Sequence, residues 1–73
     1  MSEPRTQVAS RLEQVATELE TAARHARVAA RHILAGEIPR FAAHLLAVQG
    51  HVVVATRAVD EIAVVHASKA VAD

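Results

Sequence analysis

A chain of 73 residues buries only ~60% of the surface that its unfolded form exposes, so a core confined to one copy is marginal. It has no cysteine, which removes disulfides and thiolate zinc sites as compensation and leaves association with other chains or a histidine-held metal. The formal net charge is zero and Phe41 is the one aromatic residue, which argues against a globally basic DNA-binding surface and against aromatic platforms for single-stranded nucleic acid.

The first residues, Met1-Ser2-Glu3-Pro4-Arg5, lack the charged-then-apolar layout of a signal peptide. No uninterrupted apolar run approaches the ~20 residues of a membrane span. A cytoplasmic protein with no membrane partner is therefore expected. Ser2 reads as a helix cap, Glu3 suits the positive helix end, and Pro4 is tolerated in a first turn.

The spacing predicts a first helix over about residues 4–35. Val8, Leu12, Val15, Leu19, Ala22, Ala26, Ala29 and Ile33 follow alternating steps of four and three, the pattern of a helix lying lengthwise on another. Gly36 ends this helix and Pro39 suits the first turn of the next, giving a turn over 36–39. A second helix over about 39–71 repeats the pattern in Phe41, Leu45, Val48, Val52, Ala55, Val59, Ile62 and His66. Folding the chain back pairs Ile33 with Phe41, Ala29 with Leu45, Ala22 with Val52 and Leu12 with Ile62, every pair centred on Glu37. The expected fold is all-α: residues 1–73 as a single antiparallel two-helix hairpin.

Outside these seams the helices differ. The first has a polar back of Ser10, Glu13, Thr17, Glu20, Arg24, Arg27 and Arg31, whereas the second adds Leu46, Val53, Val54, Val64, Val65 and Val71 around its circumference. A helix apolar on most sides needs cover on most sides, and one partner helix covers one stripe. Dimerisation into a four-helix bundle, or a higher oligomer, is expected, with Leu46, Val53, Val54, Val64 and Val71 at the interface. Gly50 reads either as a close-packing point between helices or as a surface glycine.

Five histidines in so short a chain are the most distinctive chemistry. His25 and His32 are seven residues apart, as are His44 and His51, each just before a seam position. Folding back sets His32 against His44 and His25 against His51 along one edge of the hairpin. Zinc, nickel or copper is a candidate ligand of these four. Yet residues seven apart lie ~10.5 Å apart along a helix, so one helix cannot grip one ion and a second chain must complete the site. A proton is the simpler ligand, since the ordinary histidine pKa is ~6.5 and facing imidazolium groups repel. His66 is expected on the seam, opposite Val8.

Charge is uneven along the folded rod. Residues 24–51 carry Arg24, Arg27, Arg31 and Arg40 against Glu37, a balance of +3. The open end carries Arg5, Arg11, Arg57 and Lys69 against Glu3, Glu13, Glu18, Glu20, Asp60, Glu61 and Asp73, a balance of −3. The four loop-half arginines form a basic tip suited to an acidic partner, and the same distribution complements the dipole of the first helix. No nucleophile turn, phosphate loop or converging carboxylate pair is present, so no catalytic residue is assigned. The expected function is that of a small non-enzymatic, self-associating scaffold, adaptor or regulator working through protein–protein contacts with itself or a larger assembly. The alternative is a histidine-based metal-binding or pH-responsive bundle.

Overall fold

The computed structural model describes residues 3–72, with side chains over 4–68. The side chains of Ser2, Glu3, Lys69, Val71 and Asp73, each used above, lie outside the described residues. Two helices, α1 (Glu3–Leu34) and α2 (Ile38–Ala72), pack antiparallel as a hairpin.

The turn is built from local hydrogen bonds. Gly36 adopts a φ of 77°, the left-handed conformation that an L side chain resists, which lets α1 end in a Schellman motif. Its amide donates to the Ile33 carbonyl at 3.1 Å and the Glu37 amide to the His32 carbonyl at 2.9 Å, so two otherwise orphaned carbonyls are satisfied. The Glu37 carbonyl then accepts from the Phe41 amide at 3.0 Å, starting α2 on the residue after the motif closes. Pro39 sits in the first turn of α2, where its missing N–H costs nothing.

The hairpin measures 56 × 21 × 12 Å, a slab one helix thick. Its radius of gyration, 16.8 Å, compares with ~11 Å for a compact domain of this length. Val15, Ala22, Ala29 and Ala55 are the buried apolar residues. Small side chains at three of these four points let the helix axes approach closely.

The seam differs from the expected one. Thr21, Ala23 and Val28 on α1 and Ala47 on α2 are half-buried, and so is a regular row: Arg11, Glu18, His25 and His32 on α1 and Phe41, His44, Val48, His51, Ala58 and Ile62 on α2. Together with the buried residues these again run in steps of four and three, but half of them are the residues immediately before the expected positions. Leu12, Leu19, Ala26, Ile33, Leu45, Val52 and Val59 are exposed instead, as is His66. Consecutive helical residues point ~100° apart, so one groove cannot enclose both rows. The polar row is the one drawn half-buried against the seam, where its members hydrogen-bond one another across the two helices.

In an antiparallel pair, rows at the same heptad offset flank the same side. The slab consequently has two unlike sides. One carries Leu12, Leu19, Ile33, Leu45, Val52 and Val59 beside the buried alanines, and the other carries the seam histidines, with Thr21, Val28, Ala47 and Val54 beyond them. At the open end the Arg11 guanidinium pairs with Glu61 across the helices. The polar back of α1 (Ser10, Glu13, Thr17, Glu20, Arg24, Arg27 and Arg31) is exposed throughout. Gly50 is exposed, with open space where a Cβ would stand, so it is no close-packing point within the hairpin.

Candidate functional site

Glu18, His51, His25, His44, His32 and Glu37 form one polar ladder along the seam. The pairs Glu18–His51, His25–His44 and His32–Glu37 are all centred between Leu34 and Ala35, which fixes the register of the hairpin. His51 Nδ1 lies 2.8 Å from Glu18 Oε2, and His32 Nδ1 lies 2.9 Å from Glu37 Oε1. A carboxylate only accepts, so both rings donate through Nδ1–H. Between them, His25 Nδ1 and His44 Nδ1 are 2.9 Å apart. That contact holds one proton: two would collide, and none would set lone pair against lone pair.

The rings stack between these hydrogen bonds. His25 and His51 have centroids 5.5 Å apart and planes inclined by 14°, and His32 and His44 are 5.4 Å apart at 21°. The pairings expected from the sequence thus occur as stacks, while the shorter polar contact, His25 with His44, joins the two pairs. The two expected pairs are thereby joined into one half-buried ladder along the seam. Its partners lie on both helices, one helical turn apart in alternation, so the length of the row follows from the heptad spacing itself.

Burial and charge act on the middle of the ladder. Desolvation lowers the His44 pKa below its ordinary value, and the nearby His25, His32 and Arg31 lower it further. The outer histidines each face a carboxylate able to pair with a charged ring, whereas His25 and His44 face each other. Glu37 also accepts from Arg40 Nη1 at 3.1 Å, so one side chain ties together the end of α1, the turn and the first turn of α2.

Among the described residues no group of three His, Asp or Glu side chains is placed to hold an ion. His25, His32, His44 and His51 offer nitrogens in sequence along the rod rather than around a point. Zinc, nickel or copper would need further ligands from a second chain.

Arg24, Arg27, Arg31 and Arg40 are exposed on the loop half. They do not converge on a pocket: Arg24 donates to Thr21 Oγ1 at 3.0 Å and Arg40 engages Glu37. Of the expected interface residues, Leu46, Val53, Val54 and Val64 are exposed and spread around α2. Val71 lies outside the described side chains. A second exposed apolar row is formed by Leu12, Leu19, Ile33, Leu45, Val52 and Val59, residues that the sequence pattern alone places in the intrachain seam. Their exposures run from 40% to 50%. The signal was present in the identical seven-residue spacing of the polar row beside them.

Over Ile38–Ser68, α2 is also long and apolar enough to cross a membrane by length and composition, a test that the core helices of soluble proteins pass as well. This qualifies the expectation drawn from uninterrupted apolar runs, since the structure joins apolar stretches on both sides of Gln49-Gly50-His51 into one helix. No family model, curated protein or solved structure matches the chain.

Proposed function

We propose that this chain is a small non-enzymatic helical-hairpin protein of the cytoplasm that self-associates and serves as a scaffold, adaptor or regulator through protein–protein contacts. The observation that carries this reading is the uncovered apolar side of a slab one helix thick. Stable domains bury such a side against a second layer, and this hairpin has no second layer of its own. Two hairpins packed side to side supply it as a four-helix bundle, leaving the polar back of α1 and the basic loop half for other proteins. Native mass spectrometry of the full chain at micromolar concentration tests the reading. A dimer or higher assembly is expected, and a stably folded monomer overturns it.

The ladder favours a second, compatible reading, a pH-responsive bundle. A histidine whose pKa is lowered by folding binds its proton more readily in the unfolded chain. Above the unfolded value of ~6.5 the group is neutral in both states and costs nothing; as pH falls below it, stability is lost until the folded pKa has been passed. His44 works in that direction, flanked by His25, His32 and Arg31, while Glu18 and Glu37 close the ends of the row. Thermal melts between about pH 7.5 and 5.5, above the ordinary carboxylate range of ~4, isolate the histidines. A melting temperature unchanged by acid sinks this second reading.

A further inference from the structure

We infer that the apolar side of the slab binds a second copy of this chain in the opposite direction, the loop end of one hairpin over the open end of the other, about a two-fold axis perpendicular to the rod. This rests on the self-association proposed above and specifies its face and its orientation.

Area argues for a partner of similar size. The chain exposes 5611 Å², against ~4400 Å² for a compact monomer of 7.8 kDa. The excess of roughly 1200 Å² exceeds the ~800 Å² that each partner of a standard interface buries. The apolar side extends along the rod from Leu12 and Val59 to Ile33 and Leu45, so a partner that covers it must itself be long, flat and apolar on one side. A second hairpin has that shape.

Charge argues for the direction. The loop half has a balance of +3 and the open end −3. Placing loop on loop sets like charges together at both ends, whereas the reversed arrangement sets each basic half against an acidic one. A two-fold axis across the rod lays α1 over the partner's α1, antiparallel, and α2 over the partner's α2. Leu12 then approaches Ile33 of the partner subunit, and the ladder side remains open to solvent and to protons.

Two experiments read this out. In sedimentation equilibrium of the full chain, Leu19→Glu and Val52→Glu each weaken association on the order of 100-fold by burying an unpaired charge, while Val54→Glu on the ladder side leaves it intact. The chain lacks cysteine, so single introduced thiols report without background. A mixture of Leu12→Cys and Ile33→Cys proteins is expected to form the mixed disulfide dimer, a readout that survives if the glutamate variants fail to fold. Cross-linking of Ile33→Cys to Leu45→Cys between chains overturns the orientation, since only a loop-on-loop pair brings them together. Association that resists Leu19→Glu and Val52→Glu but is lost in Val54→Glu overturns the face while self-association stands. A monomer, whether free or sedimenting with phosphatidylcholine–phosphatidylglycerol vesicles through α2, overturns both.

Discussion

The half-buried row that joins the two helices and the more exposed row beside it are neighbours in the chain and opposites in chemistry. Glu18, His25, His32, His44 and His51 lie in the seam; Leu19, Ile33, Leu45 and Val52, each the very next residue after a ladder member, lie exposed. A helical pair therefore need not bury its most apolar stripe. Where a polar row has partners on the facing helix at the same register, its hydrogen bonds and stacked rings can occupy the intrachain seam, and the aliphatic row is left for another surface. In the reading proposed above, the seam sets register and answers to protons, and the exposed side is the face for assembly.

The sharpest way to break this division is to charge the exposed side. Leu19→Glu with Val52→Glu is expected to abolish self-association at micromolar concentration, as read by native mass spectrometry. Retained dimers would remove the distinction between seam and face. Adding bulk separates the two rows by another route. Ala29 is 5% exposed, so Ala29→Leu overpacks the seam and should cost about 1–3 kcal/mol in chemical denaturation. Ala26→Leu, on the exposed side, is expected to leave the hairpin intact and strengthen association; equal damage from both would show that the seam is misplaced.

The two glycines give a pair of opposite signs. Gly36→Ala forces a side chain into the left-handed turn and should destabilise by about 1–2 kcal/mol. Gly50→Ala adds a methyl in open space on a helix and should stabilise by about 1 kcal/mol, provided that no partner covers that side. Both are measured by urea unfolding.

Acid is a milder probe of the seam. The melting temperature should fall between about pH 7.5 and 5.5 as the unfolded chain takes up the proton that folding makes harder for His44 to bind, and His44→Asn should flatten that slope. A slope unaltered in the variant would place the acid response elsewhere. The smallest effect is expected at the open end, where Arg11 is only half-buried and Glu61 is exposed: Arg11→Ala should cost about 0.5 kcal/mol or less, since such pairs are screened by water and salt.

Much of this molecule was legible in the sequence. Period, caps and punctuation specify two helices, and Gly36 with Pro39 specifies where they meet, because helix length, a left-handed C-cap and proline in a first turn are local properties of the chain. The polar back of α1 and the apolar circumference of α2 followed from the same reading, as did the facing of His25 with His51 and of His32 with His44, though not the stacking of their rings. Which stripe faces inward was not a local property. Val15, Ala22, Ala29 and Ala55 belong to the apolar pattern under either choice, and adding Leu12, Leu19 and Ile33 or adding Glu18, His25 and His32 completes an equally regular alternation of four and three. Period alone fixes the width of a stripe and leaves one of its two rows free by one residue, which turns the centre of the stripe by about 50°. That rotation depends on partners brought from the other helix: Glu18 meeting His51, His25 meeting His44 and His32 meeting Glu37. These pairings exist only once the chain has folded back on itself, so the tertiary structure decided what the hairpin encloses and what it leaves for a partner.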